Sequence, residues 1–141
     1  MPTILVVEDN AHGAEMLLLL LDSEGYRVIH AADGEQALAK AKAEKPDLIT
    51  LDVRMPKMDG FEVCRRLRAD PATAQIPVLM VTAMTAQEDL EQGIAAGADD
   101  FISKPVRKLE LVARVRSLLK IGQFKGELDR TLAYLNDLKK L

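Results

Sequence analysis

The sequence predicts a doubly wound α/β domain with one parallel sheet of five strands in the order 2-1-3-4-5. Short aliphatic and β-branched runs alternate with segments of helical periodicity, and this unit repeats five times over residues 1–120. Polar residues stand at or just beyond the ends of several of these runs. The chain has 141 residues, 48% of them hydrophobic, which suits one core of this kind.

The first two units have recognisable strands and helix caps. The run Thr3–Val7 is continuously apolar, as expected of a strand buried on both faces, and Asn10 can cap the helix that ends near Gly25. Residues 26–31 alternate more, which favours a strand nearer the sheet edge, and Asp33 can cap the next helix. The apolar positions of these two helices are Ala14, Leu17, Leu18, Leu21, Ala37, Leu38 and Ala41.

The third unit begins after Lys45-Pro46, because the residue before a proline is pushed out of the helical region. Residues 47–51 are predicted to form a strand that ends at Asp52. A loop follows over residues 52–60, and a helix is expected over residues 61 to about 68. The apolar face of that helix comprises Val63, Cys64 and Leu67.

The last two units complete the sheet. Residues 78–81 form the fourth predicted strand, with Thr82 at its end, and residues 101–103 form the fifth, before Lys104-Pro105. The helix predicted over residues 85–96 has a thin apolar stripe of Ala86, Leu90 and Ile94, so we expect weak anchoring. The final amphipathic helix has apolar residues at Leu109, Leu111, Val112, Val115, Leu118 and Leu119.

Parallel strands end at one edge of the sheet, so Glu8, Asp9 and Asp52 are expected to converge there, with Thr82 and Lys104 beside them. Three carboxylates in one crevice repel each other unless a cation is bound, and Mg²⁺ prefers such oxygen ligands and shares phosphate oxygens. A hydroxyl and an ammonium can hold a phosphoryl group. The pattern predicts a metal-assisted phosphoryl-transfer site with Asp52 as the nucleophile.

These segments together resemble the receiver domain of two-component response regulators, whose fold is flavodoxin-like. The matching segments are residues 5–9 (LVVED), 51–60 (LDVRMPKMDG), 81–83 (VTA) and 104–105 (KP). The resemblance implies that Asp52 is the phosphoryl acceptor and that Asp9 and the backbone carbonyl of Arg54 are direct Mg²⁺ ligands. It also implies that Glu8 acts mainly through a metal-bound water.

The resemblance assigns further roles around the acceptor. Lys104 is expected to bind a phosphoryl oxygen, and Thr82 to be the switch hydroxyl that moves toward another. Phe101 is similar to the aromatic residue that swings inward behind that hydroxyl, although a tyrosine is often found there. Arg54 and Met84 occupy positions whose side chains tune hydrolysis of the aspartyl phosphate.

The implied function is a signalling receiver that accepts phosphoryl from a histidine kinase or phosphotransfer protein and assists only its own phosphorylation and dephosphorylation. Two alternatives remain. An aspartyl-phosphate-type phosphatase or phosphotransferase would usually have a second aspartate two residues after the nucleophile, where this chain has Arg54. A phosphorylation-independent binding scaffold would be expected to have a degraded acidic pocket.

Charge and composition exclude other classes. The net charge is −3 and the basic residues are dispersed, so direct binding of nucleic acid is not expected. The longest apolar run, residues 16–21, is too short to span a membrane. With one cysteine and no signal-peptide pattern, we expect a cytoplasmic location.

Several features also have ordinary structural interpretations. Glu8, Asp9 and Asn10 alone would suggest a polar turn with a helix cap, and Asp52 and Lys104 favour the site instead. Lys104-Pro105 suits a fixed turn, for which a cis bond is one option.

Other conspicuous residues are expected to be structural. His12 and His30 are expected at the surface or on a helix face, Cys64 in the core, and Gly60 at a turn beside the gap-filling Met55 and Met58.

The chain divides into a predicted receiver, residues 1–120, and a helical extension, residues 121–141. The extension has a short heptad pattern formed by Ile121, Phe124, Leu128, Thr131, Leu135 and Leu138. A coiled-coil connector to an output domain after residue 141, or to a partner chain, and a helix packed on its own domain are both open. Asp100, Glu110 and Arg114 resemble part of a dimer face, on which Asp100 and Arg114 could pair across a two-fold axis.

Overall fold

The computed structural model describes residues 1–83 and 87–139, and, beyond residue 122, the side chains of Leu132 and Leu135. The strands are β1 (Thr3–Val7), β2 (Arg27–Ala31), β3 (Leu48–Asp52), β4 (Val78–Thr82) and β5 (Asp100–Ser103). The helices are α1 (Ala11–Ser23), α2 (Gly34–Glu44), α3 (Gly60–Ala69), α4 (Gln87–Ala96) and α5 (Lys108–Lys139). All neighbouring strands pair in parallel in the order 2-1-3-4-5, which confirms the predicted topology.

The sheet lies between two hydrophobic cores. Alternate residues of a strand point to opposite faces, so Leu5 and Val7 pack toward α2 and α3 while Ile4 and Val6 pack toward α1 and α5. Residues 4–7 of β1 are therefore all buried, as the continuous apolar run predicted. The predicted site residues follow these apolar runs, at the C-terminal edge of the sheet.

Side-chain caps fix where the helices near the site begin. Asn10 accepts a hydrogen bond from the Gly13 amide at 3.0 Å, and Asp33 accepts one from the Gln36 amide at 2.8 Å, as predicted. Asp59 does the same for α3 through the amide of Glu62, at 2.9 Å. These caps set the direction in which α1 and α3 leave the polar edge of the sheet.

The predicted apolar stripe of α4 is wrong at Ile94, whose side chain is 64% exposed. Gly93 and Ala96 are the buried residues of this helix, and Ala86 lies outside the described part of the chain. Small residues face the sheet because the ring of Phe101 occupies the space beneath α4. Leu109, predicted to be apolar core, is likewise exposed, at the start of α5.

Helix α5 (Lys108–Lys139) is the longest helix among the described residues. It contains 32 residues and would be about 48 Å long, and Leu118 is the last buried one among those of its side chains that the structure describes. Ile121, Leu132 and Leu135 are each about half exposed. The other predicted heptad positions lie outside the residues whose side chains are described: Phe124, Leu128, Thr131 and Leu138. Within the described chain, no helix is both long enough and apolar enough to cross a membrane.

Candidate functional site

The predicted residues meet at one edge of the sheet. In the register of the parallel strands, Val7 lies opposite Leu51 on β3, and Asp52 lies opposite Val81 on β4. Thr82, the next residue, lies opposite Ser103 on β5. The residues that directly follow β1 and β5, Glu8 and Lys104, therefore stand at the same level as Asp52 and Thr82.

The three carboxylates converge as predicted. One oxygen from each of Glu8, Asp9 and Asp52 lies within 4.8 Å of the others. Glu8 is 1% exposed and Asp52 is 5% exposed, whereas Asp9 is open to solvent. Two buried acids and one accessible acid form a crevice that a cation can enter from the side of Asp9.

Lys104 lies between two of these carboxylates. Its Nζ is 3.1 Å from Glu8 Oε2 and 3.4 Å from Asp52 Oδ2. Its backbone amide donates to the Thr82 carbonyl at 2.8 Å, and the Lys104–Pro105 peptide bond is cis. The two distances place the ammonium in the crevice, beside Asp52.

The crevice shifts the pKa values of its charged pair. Burial raises the pKa of Glu8, and the nearby Asp52 adds to this, although the hydrogen bond with Lys104 opposes the shift. For Lys104, burial alone would lower the pKa, but the hydrogen bond to Glu8 and the charge of Asp52 outweigh it and raise the pKa. Lys104 thus stays cationic beside Asp52.

Two glycines allow the backbone to close around the acids. A Cβ on Gly60 would stand 2.3 Å from the Asp52 carbonyl oxygen, and one on Gly13 would stand 3.3 Å from Glu8 Cδ. The amide of Gly60 donates to the Val53 carbonyl at 2.8 Å. Gly60 is therefore needed for close approach of the loop to β3, and it has no positive φ.

The predicted switch residues share a small cavity. Thr82 and Phe101 line it together with Val53, Phe61 and Leu90. The volume, about 10 Å³, is too small for a side chain. Phe101 is half-buried, and its ring contacts α4 at Gly93. Movement of the ring therefore either displaces α4 or breaks this contact.

Arg54 lies in the loop that follows Asp52, and its side chain is exposed. It lines an open cleft of about 590 Å³ together with Asp9 and with Asp89 and Gln92 of α4. The two α4 residues carry no sequence signal that links them to the acidic crevice. Met84, the other predicted tuning position, lies outside the described residues.

Asp100 and Arg114 pair within the chain. Arg114 Nη1 lies 3.0 Å from Asp100 Oδ1 and 2.8 Å from Oδ2, and its Nε lies 3.8 Å from Glu110 Oε1. Hydrogen bonding to Asp100 raises the pKa of Arg114. The predicted dimer-face residues are thus already close together on the surface of one chain.

His30 lies on a strand, not on a helix face, and is not among the converging acidic ligands. His30 is partly buried on β2, and its Nε2 lies 2.9 Å from the carbonyl oxygen of Glu8. Metal-ligand spacing along the sequence does not reveal a side chain that contacts a backbone carbonyl on the next strand. His12 is exposed and Cys64 is buried, as predicted.

The donor set fits a hard divalent cation. The converging atoms are all carboxylate oxygens, one of them accessible, and the described residues place no histidine or cysteine among them. Mg²⁺ binds through one or two carboxylates and keeps several waters, which suits an open crevice of this kind. The cluster of Glu8, Asp9 and Asp52 is therefore the candidate metal site.

Comparison with known proteins agrees with the resemblance seen in the sequence. A family model described as the response regulator receiver domain matches residues 4–116. The chain is 49% identical over 125 residues to the response regulator PleD of Caulobacter vibrioides, covering 89% of this chain and 28% of PleD. It is 47% identical over 120 residues to the DNA-binding dual master transcriptional regulator RpaA of Synechocystis, covering 85% of this chain and 50% of RpaA. The chain therefore spans half or less of the length of these two relatives.

Solved structures resemble the domain closely. The chemotaxis response regulator CheY4 of Vibrio cholerae aligns with a TM-score of 0.79 at 36% identity, over 84% of this chain and 98% of that chain. The receiver domain of the sensor histidine kinase PA1611 of Pseudomonas aeruginosa, described with a magnesium ion in its active-site cleft, aligns with a TM-score of 0.80. Its identity is 34% over the same shares of the two chains.

Proposed function

The chain belongs to the receiver domain family of two-component response regulators, and on that premise we propose that Asp52 accepts a phosphoryl group in a Mg²⁺-dependent reaction. Receiver domains take phosphoryl from histidine kinases and act as signalling domains rather than classical enzymes. The observation that carries the proposal is the convergence of Glu8, Asp9 and Asp52 with Lys104. A histidine kinase or a phosphotransfer protein is the proposed donor.

Asp52 is proposed as the nucleophile. A carboxylate oxygen of Asp52 attacks the phosphorus, the bond from phosphorus to the donor's imidazole nitrogen breaks, and the imidazole keeps the electron pair. Lys104 Nζ, 3.4 Å from Asp52 Oδ2, is close enough to bind an oxygen of the incoming group. Its positive charge stabilises the negative charge on the phosphoryl oxygens.

Glu8, Asp9 and Asp52 would hold the metal, with the Arg54 carbonyl as a further ligand. Bound Mg²⁺ would neutralise the carboxylates and polarise the phosphoryl group. The accessible Asp9 provides the entry side, while Glu8 and Asp52 are buried.

Thr82 and Phe101 are proposed to transmit phosphorylation. A dianionic phosphoryl group on Asp52 would favour a hydrogen bond from a hydroxyl. Movement of Thr82 toward it would change the small cavity that Thr82 and Phe101 line. Phe101 contacts Gly93, so the change would reach α4. The exposed Ile94 on that helix would then be presented differently to a partner.

We also propose that the domain ends near residue 120 and that α5 beyond it is a connector to an output domain or a partner. Ile121 and Leu135 occupy the same predicted heptad position and are both exposed. A second copy of the chain would cover them in a coiled coil. Asp100, Glu110 and Arg114 would contribute a second contact if the pair between Asp100 and Arg114 is shared across a two-fold axis.

The proposal is tested with acetyl phosphate, a phosphoryl donor, and Mg²⁺ on the full chain. Intact mass should show one phosphoryl adduct, and Asp52→Asn, which removes the nucleophile with little change in shape, should show none. Replacing Mg²⁺ with EDTA should abolish the adduct. An adduct that persists in Asp52→Asn, or its absence in the wild type, would refute the assignment.

A further inference from the structure

The backbone amide and the backbone carbonyl of Glu8 both contact residues of β2. Its amide donates to the Ala31 carbonyl at 3.1 Å, which continues the ladder between β1 and β2. Its carbonyl lies beyond the last paired residue of β1 and is contacted by His30 Nε2 at 2.9 Å. A side chain of the edge strand thus takes the place of the backbone partner that the ladder no longer provides.

The contact selects one tautomer of the neutral imidazole. A carbonyl oxygen can only accept a hydrogen bond, so Nε2 of His30 must carry the proton. In the neutral ring, Nδ1 is then the unprotonated nitrogen. The structure therefore predicts one tautomer, which can be measured without reference to the reaction.

This contact lies one peptide bond from Asp9. The plane of the peptide between Glu8 and Asp9 sets the direction in which both side chains leave the backbone. On the far side of the turn, the Asn10 amide donates to Glu8 Oε1 at 3.3 Å. We infer that His30 is a positioning residue that holds the turn of Glu8 and Asp9 in the orientation needed to bind a divalent cation, and this rests on the proposed function.

His30 also connects the acidic turn to a helix on the far side of the edge strand. Lys40 of α2 donates from Nζ to the His30 carbonyl on the outer strand. On the inner side, Glu8 continues the chain of contacts to Lys104 and from there to Asp52. Four polar contacts thus link α2 to the proposed acceptor, with His30 as the member nearest the acidic turn.

A purely structural role makes a different prediction. If His30 only satisfies a carbonyl, its loss lowers the free energy of unfolding and leaves cation affinity unchanged. If it positions the turn, its loss weakens Mg²⁺ binding in molecules that remain folded. Partners that orient metal ligands typically change affinity about 10–100-fold when removed, and a contact through the backbone should fall at about tenfold.

The experiment measures Mg²⁺ affinity by NMR titration of the full chain for the wild type, His30→Ala, His30→Gln and His12→Ala. His30→Ala should weaken binding about tenfold. His30→Gln retains an N–H donor of similar reach and should stay within about threefold of the wild type. His12→Ala removes an exposed histidine and should have no effect. Urea unfolding in EDTA on the same samples confirms that each variant is folded.

Imidazole nitrogen shifts at about pH 8, where a free imidazole is neutral, give the tautomer directly. A proton on Nδ1 of His30, or wild-type Mg²⁺ affinity in His30→Ala, overturns the inference while leaving phosphorylation of Asp52 intact. If the wild type binds no Mg²⁺ and forms no beryllofluoride adduct, the proposed function fails and the inference falls with it. The two failures are therefore distinguishable.

Discussion

The ring of Phe101 lies directly beneath Gly93, so that a Cβ on Gly93 would stand 2.4 Å from Phe101 Cε1 and 2.7 Å from Cζ. Real carbon atoms do not approach this closely. The sheet and α4 can meet at this distance only because residue 93 has no side chain. The half-buried ring is consequently coupled to the position of the helix.

We predict that Gly93→Ala destabilises the protein by about 1–2 kcal/mol, because the overpacking cost of about 1–3 kcal/mol exceeds the gain of about 0.5–1 kcal/mol from replacing a helical glycine. In a Phe101→Ala background the two closest atoms are gone and Met80 Sδ, at 3.2 Å, remains beside the new Cβ, so Gly93→Ala should be much less destabilising. Urea unfolding of the four proteins measures the coupling. A stabilising effect of Gly93→Ala with Phe101 present would contradict the packing argument.

Thr50 gives a prediction about the sheet itself. Its Oγ1 is buried in the central strand β3 and, among the described residues, has no hydrogen-bond partner. Thr50→Val keeps the shape and removes the unsatisfied hydroxyl, so it should stabilise the protein by about 1 kcal/mol. Unfolding in urea measures this value.

Thr73 is the matched control. It is equally buried, but its Oγ1 donates to the Leu67 carbonyl at 2.7 Å. Thr73→Val should destabilise the protein by about 1 kcal/mol, because it leaves that carbonyl without its donor. If both substitutions have the same sign, hydrogen-bond satisfaction does not explain the difference.

The sequence was sufficient for the convergence of Asp52, Lys104 and the acidic pair, because strands that alternate with helices must be parallel and end at one edge. It was insufficient for His30, whose contact depends on the register between β1 and β2 and on a backbone carbonyl that has no sequence signature. The buried face of α4 was misjudged at Ile94. Helical spacing identifies apolar residues but does not give the distance between a helix and the sheet. Here that distance is so short that residue 93 is a glycine.

The pKa of Glu8 predicts a dependence of stability on pH. Burial raises this pKa above its ordinary value of 4.5, so the folded state binds more protons than the unfolded state in the window above 4.5. The contribution of Glu8 to stability therefore falls as pH rises from 4.5 through the raised value. In EDTA, Glu8→Gln should become progressively more stable relative to the wild type over this window.

Thermal or urea unfolding at several pH values gives the difference between the two proteins. Glu15→Gln, on the exposed face of α1, is the control and should run parallel to the wild type. Added Mg²⁺ should stabilise the wild type more than Glu8→Gln, because ligands stabilise the state that binds them. A difference between Glu8→Gln and the wild type that stays constant with pH would exclude the raised pKa.

The connector hypothesis makes a prediction about two exposed leucines of α5. Leu135 lies at the predicted seam position shared with Ile121, whereas Leu132 does not, and their exposed fractions are similar, 47% and 54%. In a coiled-coil dimer a seam leucine would be buried by the partner, which is worth about 1.5–3 kcal/mol for each side chain. Leu135→Gln should therefore weaken dimerisation at least about tenfold, and Leu132→Gln much less. Sedimentation equilibrium measures both constants, with and without beryllofluoride. Equal effects of the two substitutions, or a wild type that is monomeric in both states, would leave the extension as a single helix that needs a different partner to cover Ile121 and Leu135.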